Sequence, residues 1–212
     1  MKNREIIINK AVDLFYKEGF TRASIRKISS MSGMSNAGIY HYFRNKDELL
    51  FQIVFSIGVE LLSILNQIVQ DIDDPEKALR QMLMNHICLM KKRRKEIKIF
   101  IEEQYQLPQN LKSICQKQHR EVYDIYLGVL QRFVRMGKLS NENLTVIAFA
   151  IFGMVNWCYR WYREGGKLTI EEIAKKIIDI LFHGILFPNG ERIGDFDGTT
   201  KNIHNDTNTP IS

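Results

Sequence analysis

Residues 21–43, TRASIRKISSMSGMSNAGIYHYF, leave this chain few ways to fold. Ile25, Ile28 and Met31 fall on one side of a short helix, and Ile39, Tyr42 and Phe43 on one side of another. Ser32-Gly33-Met34 between them is long enough only for a tight turn. Gly33 can take a left-handed backbone there, and Ser35 is a good N-cap for the second helix. Helices this short are not stable alone, so both must lean on neighbours. The arrangement is a helix-turn-helix, a pattern whose second helix characteristically enters a DNA major groove. Glycine turns between short helices also occur in domains that bind no nucleic acid, so spacing alone does not settle function.

The flanking residues supply the missing neighbours. Ile6, Ile7, Ala11, Leu14 and Phe15 recur at helical spacing, widened by Ile8 and Val12. Gly19 ends this first helix and Phe20 folds back as a core plug. Either Thr21 or Ser24 can cap the next helix. Asn45 and Glu48 have capping-box spacing at the start of a fourth helix. Its apolar stripe runs from Leu49 to about Val69, too long to serve only a small trihelical core. Its first turns should pack under the helix-turn-helix and the remainder should enter a second core. A helix shared in this way can transmit a tilt.

Beyond a break at residues 71–75, Asp74 and Pro75 read as N-cap and first turn of a methionine-bearing helix with Ala78, Leu79, Met82, Leu83, His86, Ile87 and Met90. An ordinary methionine-filled core and a pocket wall for an apolar ligand are the two readings of that stripe. The basic run KKRRK, residues 91–95, suits a solvated helix end, a phosphate-bearing ligand or, less well because it lies outside the helix-turn-helix, the DNA backbone. Further helices are expected over 97–105 and 111–136, the latter capped by Gly137 and carrying His119 and Arg120, which face solvent or, as the alternative, a pocket. Another should follow Ser140 as N-cap. Residues 144–162 are apolar almost all round, which predicts burial on two sides, with Gly153 admitting another backbone. Thr169 and Glu172 form a second capping box ahead of a last amphipathic helix. These two terminal helices suggest a self-complementary four-helix interface, with Ile147, Ile151, Val155, Ile173, Ile177 and Leu181 as its dimerisation residues. From Pro188 the period is lost, and 188–212 reads as a flexible tail.

Composition narrows the classes. The formal net charge of +6 and pI near 9.2 mildly favour an anionic partner. Three scattered cysteines, Cys88, Cys115 and Cys158, form neither a disulfide framework nor a zinc pattern. No signal-peptide core and no membrane-spanning run are apparent, so a cytoplasmic protein without membrane contact is expected. HExxH, nucleophile-elbow and phosphate-loop motifs do not occur, which leaves no catalytic residue, metal site or cofactor to nominate.

Ala11, Phe15, Gly19-Phe20, Ser24, Ile28, Gly33, Ser35, Ile39-Tyr40, Tyr42-Phe43, Lys46 and Leu49-Leu50 together resemble the TetR family of transcriptional regulators. The resemblance covers roughly the first 50 residues. It implies an all-α homodimer: an N-terminal three-helix bundle with helix-turn-helix over 1–48, joined by a shared fourth helix to a ligand-binding and dimerisation domain over 49–187. It also implies a palindromic double-stranded DNA operator and a third helix that reads it. Asn156-Trp157-Cys158-Tyr159-Arg160-Trp161-Tyr162, then Gly165-Gly166 and Leu168-Thr169, is similar to regulators of fatty-acid or steroid degradation, which respond to acyl-CoA thioesters.

On that reading Ser35, Asn36, Ala37 and Gly38 form the entering end of the reading helix, with Tyr40 and His41 further along it. Asn36 has an amide suited to base edges or phosphate, and Ala37 can meet a thymine methyl. Lys2, Arg4, Arg26, Arg44 and Lys46 are candidates for the phosphate backbone. Met82, His86, Met90, Lys91, Arg94, Phe100, Tyr123, Tyr126, Trp157 and Trp161 are candidate contacts for a small apolar or amphipathic effector such as an acyl-CoA. Effector binding would release the operator and make the chain a ligand-controlled repressor. The competing readings are a DNA-binding dimer without small-molecule control, which predicts a filled C-terminal core, and a helical enzyme.

Overall fold

The computed structural model describes residues 2–141 and 143–184. Among them are nine α-helices and no strand: α1 Lys2–Glu18, α2 Ile25–Ser32, α3 Asn36–Tyr40, α4 Lys46–Asp71, α5 Pro75–Lys92, α6 Arg94–Glu103, α7 Gln109–Arg135, α8 Leu144–Trp161 and α9 Ile170–His183. A 3-10 turn, Gln104–Gln106, extends α6. The described residues are all-α, as the family resemblance implies. The tail expected over 188–212 lies outside the described residues.

Local chemistry sets most helix ends. Ser24, not Thr21, caps α2, accepting from the Lys27 amide. Gly33 adopts φ 68°, a left-handed turn costly for a residue with Cβ. Ser35 Oγ accepts from the Gly38 amide at 3.0 Å. Asn45 caps α4, but the Glu48 carboxylate reaches the amide of Arg44, one residue before the cap, at 2.7 Å. Thr169 and Glu172 complete a reciprocal capping box on α9. Ser140 does not start α8; the helix begins at Leu144, behind Asn143 with φ 66°.

Two cores result. The first gathers Ile7, Phe15, Phe20, Ile28, Ile39 and Phe43 with Leu49, Leu50, Ile53 and Val54 of α4. Ile99, Leu107 and Cys115, from far downstream, complete it. The second joins Ile57, Leu61 and Leu65 of α4 to α5, α7, α8 and α9, around Met82, Tyr126, Ile151 and Ala174. Helix α4 has 26 residues, about 39 Å at 1.5 Å per residue, and enters both cores. Gly58 at its middle lets α7 come close: a Cβ there would sit 1.9 Å from Gln118 Oε1. Gln118 is buried and donates to the Phe55 carbonyl at 3.3 Å.

Helix α8 departs from its expected double burial. Leu144, Ala148, Ile151, Val155 and Cys158 face the core. On the opposite side Val146, Phe149 and Trp157 are 64%, 62% and 60% exposed, and Trp161 is exposed with them. This corrects the interface residues. Ile151, Val155 and Ile173 are buried inside the chain's own core and cannot face a second copy. Ile147, Ile177 and Leu181 are half-buried against that core. Helices α4 and α8 are also long and apolar enough to cross a membrane by length and composition, contrary to the expectation of no such run. In the fold both pack into the second core, α4 into the first as well.

Candidate nucleic-acid interface

Helix α3 has five residues. Ile39 is fully buried and anchors it, while Phe43 follows in the same core. Its opening turn points outward: Ser35, Asn36, Ala37, Tyr40 and His41 are exposed, and Gly38 half-buried. Tyr40 is 54% exposed, so helix packing does not account for it. The His41 ring stands edge-on to Tyr42 at 5.0 Å. Exposed Lys2, Arg26 and Arg44 lie in or beside the bundle. Asn36, Tyr40 and His41, unburied on a turn capped by Ser35, can reach base edges, and cations nearby can take phosphates.

Two expected phosphate contacts have structural duties. Lys46 Nζ turns inward, donating to the carbonyls of Phe20 at 2.7 Å and Ala23 at 3.0 Å, and lies 4.2 Å from the Phe20 ring centroid. Its charge closes the α1–α2 loop, so it is removed from the DNA-contact set. Arg4 donates to Gln52 at 2.8 Å and sits 5.2 Å from the Phe43 ring centroid, yet remains exposed.

A second clasp was not legible in the sequence. Glu103 accepts from the Phe20 amide at 3.2 Å, and Thr21 donates to Gln106 at 3.0 Å. Gln106 in turn donates to Glu103. The end of α6 therefore grips the loop that precedes the helix-turn-helix. Such contacts, more than 80 residues apart in sequence, have no local pattern to announce them.

The basic run is also a junction, not a free helix end. Arg93 has φ −121° and breaks α5 from α6. Lys92 and Arg93 each pair with Glu60 at 2.7 Å, Arg93 also with Glu96 at 2.8 Å, Lys95 with Asp13 at 2.6 Å, and Lys91 with Glu171 at 3.5 Å. It ties α1, α4 and α9 together. Glu60 is held below its ordinary range despite the opposing cost of partial burial, because Lys92 and Arg93 favour its charged form.

The expected effector residues divide. Met82, His86, Met90 and Tyr126 meet in the second core, and half-buried Phe100 and Tyr123 pack against it. His86 Nδ1 lies 3.1 Å from Tyr126 Oη, with Phe152 beside both rings. Burial lowers the His86 pKa to about 4. Lys91 is on the surface with Glu171, and Trp157 and Trp161 lie on the outer face of α8, so these three do not line the core. His119, expected in solvent, turns its Nε2 inward without a partner, and Phe100 stands edge-on 5.0 Å away. Two clefts open to the surface instead. One, about 600 Å³, follows the outer side of α4 by Gln52, Val59 and Lys92. The other, about 410 Å³, lies between α1, α6 and α8, by Tyr16, Arg94 and Arg160.

A capped reading turn on a small bundle, coupled to a larger helical body, defines a helix-turn-helix regulator. Residues 7–53 match the family described as bacterial regulatory proteins, tetR family, and residues 73–185 match the tetracyclin repressor-like C-terminal domain. The chain belongs to the TetR family; it is a DNA-binding transcriptional regulator and not an enzyme. It is 23% identical over 188 residues to the transcriptional repressor KstR2 of Rhodococcus jostii, covering 88% of this chain and 92% of that protein. The crystal structure of AibR in complex with isovaleryl coenzyme A and operator DNA is similar with TM-score 0.77 and 28% identity, over 85% of this chain and 98% of that one. PfmR of Thermus thermophilus shares the fold with TM-score 0.79 at 23% identity, over 84% of this chain and 98% of that one.

Proposed function

We propose that the chain is a cytoplasmic homodimeric repressor, released from a palindromic operator by an acyl-CoA or a similar small amphipathic effector. The observation that carries this reading is the pair of elements that enter both cores. Helix α4 runs through them, and α6 with its 3-10 turn grips the loop ahead of α2. A change in the second core therefore carries the reading head with it.

The outer face of α8 supports pairing of two copies. Val146, Phe149, Trp157 and Trp161 form an exposed apolar ridge, and the space above Gly153 is open. Each side chain of the ridge is already partly covered, so hiding the remainder is worth part of the roughly 1.5–3 kcal/mol that full burial of such a side chain contributes. The glycine gap admits the backbone of a second α8. A two-fold pair sets two α3 helices against successive major grooves, about 34–36 Å apart. The AibR complex supports the effector class, since that protein was solved with a CoA thioester and operator DNA together.

A second reading has its own support. Met82 and Tyr126 are fully buried and fill the place expected for a ligand. A regulator without small-molecule control would have such a core, whereas an effector-controlled one must open it.

Operator titration by fluorescence anisotropy, with and without acyl-CoAs of graded chain length, tests the proposal. A fall in operator affinity at saturating ligand is expected, with matching weaker binding of that ligand to the DNA complex. Unchanged affinity across the series favours the second reading. Sedimentation showing single chains at operator-binding concentrations ends the dimer.

A further inference from the structure

We propose that the cleft between α1, α6 and α8 binds a phosphomonoester-bearing nucleotide and that its occupant bridges the reading head to the C-terminal domain. The proposal deepens the effector reading, on which it rests for the acyl half of the ligand: the cleft takes the nucleotide end.

Six residues line the cleft: Tyr16 of α1, Arg94, Lys98 and Glu102 of α6, and Tyr159 and Arg160 of α8. Three cations face one carboxylate, an excess of two positive charges. A phosphomonoester carries roughly −1.5 to −2 at neutral pH, so one such group matches the excess, and the second phosphate of a nucleoside bisphosphate stays toward solvent. The volume of about 410 Å³ is within the range of small-ligand sites.

Contact lengths separate these cations from their neighbours in the chain. Lys92, Arg93 and Lys95 hold their carboxylates at 2.6–2.8 Å and are engaged in the fold. Lys98 and Arg160 each stand 3.9 Å from Glu102, beyond a hydrogen bond. Arg94 has a 3.4 Å contact to the Tyr162 carbonyl; Arg160 has a 3.5 Å contact to the Tyr159 hydroxyl and lies 5.5 Å from the Trp157 ring centroid, which leaves its edge donors open. Guanidinium groups so loosely held keep donors for the bidentate recognition that phosphate invites. Tyr16 and Tyr159 add aromatic surface on which a base can stack. Lys98 Nζ already lies 4.6 Å from the Tyr16 ring centroid, so an anion on Lys98 acts directly against α1. One turn further, α6 ends in the Glu103 and Gln106 clasp on the Phe20–Thr21 backbone and side chain. Drawing Lys98 and Arg160 onto one phosphate pulls α6 toward α8 and loads that clasp.

Isothermal titration of the full chain with adenosine 3′,5′-bisphosphate, and separately with inorganic phosphate, tests the site. The bisphosphate should bind once per chain. Arg160→Gln and Lys98→Gln should each weaken it roughly tenfold or more, the loss of a charge-assisted contact. Glu102→Gln should tighten it, which a merely unfolded variant would not do. Lys91→Gln, paired with Glu171 outside the cleft, should leave it unchanged. No binding by the native chain, or an equal loss in Lys91→Gln, overturns the site. Inorganic phosphate binding as tightly as the bisphosphate overturns its nucleotide assignment. An acyl-CoA that still binds Arg160→Gln and Lys98→Gln at native affinity and releases operator sinks the cleft but leaves the effector reading standing. Cleft-dependent bisphosphate binding with no acyl-CoA effect on operator does the reverse.

Discussion

Acidification should weaken the C-terminal core through His86. The ring is enclosed by Tyr126 and Phe152, with centroids 6.0 and 6.4 Å away. The Tyr126 hydroxyl, pushed up by burial and so protonated, can donate to Nδ1 of the neutral imidazole. Burial holds the folded pKa near 4 against an ordinary 6.5. The unfolded chain therefore binds a proton that the folded chain refuses between those values. The stabilising contribution is complete above pH 6.5 and is lost as pH falls through that window. At about 1.36 kcal/mol per pKa unit, the loss is about 1 kcal/mol by pH 5.5 and about 2–3 kcal/mol by pH 4.5. Urea unfolding of the native chain and His86→Gln across pH 7.5 to 4.5 isolates it. Gln retains a group for the Tyr126 hydroxyl, and distant carboxylates contribute alike to both proteins. The stability difference between the two should move in favour of the variant by those amounts. Parallel profiles would refute the assignment of the buried neutral ring.

Other positions make sharp expectations. Arg26→Ala should weaken all DNA sequences alike and lower the salt slope of binding by about one, whereas Asn36→Ala should relax sequence preference and leave that slope unchanged; competitive binding at several salt concentrations distinguishes them. Lys46→Met should destabilise the chain by about 1–2 kcal/mol in denaturant, since two loop carbonyls lose a charged donor, without the lowered salt slope of a lost phosphate contact. Gly58→Ala should destabilise the native chain, because Gln118 occupies the new methyl's position. In a Gln118→Ala background the same change should stabilise by about 1 kcal/mol, the helix-propensity gain of alanine. A Gly58 effect of one sign in both backgrounds would dismiss the contact.

Comparison with the sequence separates two kinds of information. Periodicity and capping are local, so Ser35, Gly33, Asn45, Asp74 and the Thr169–Glu172 box could be placed from neighbouring residues alone. The same holds for the long α4 stripe and the reading turn at Asn36 and Ala37. Which way a side chain faces in a uniformly apolar helix is not local. Residues 144–161 carry no polar stripe to orient them, so Ile151 and Val155 could not be told from Trp157 and Trp161. Charge is equally mute about its partner: Lys46, Lys95 and Lys98 look alike in sequence but serve a loop, Asp13 and an open cleft.

The sequence by itself determined the helices, most of their caps and the helix-turn-helix, because each depends on residues within a turn or two; the choice between Thr21 and Ser24 and the start of α8 were left to the fold. Tertiary structure alone decided the inward Lys46, the Glu103–Gln106 clasp, the exposed ridge of α8 and the cationic cleft. Those depend on which distant helices meet, and contact across 80 residues of chain leaves no periodic trace in the residues that make it.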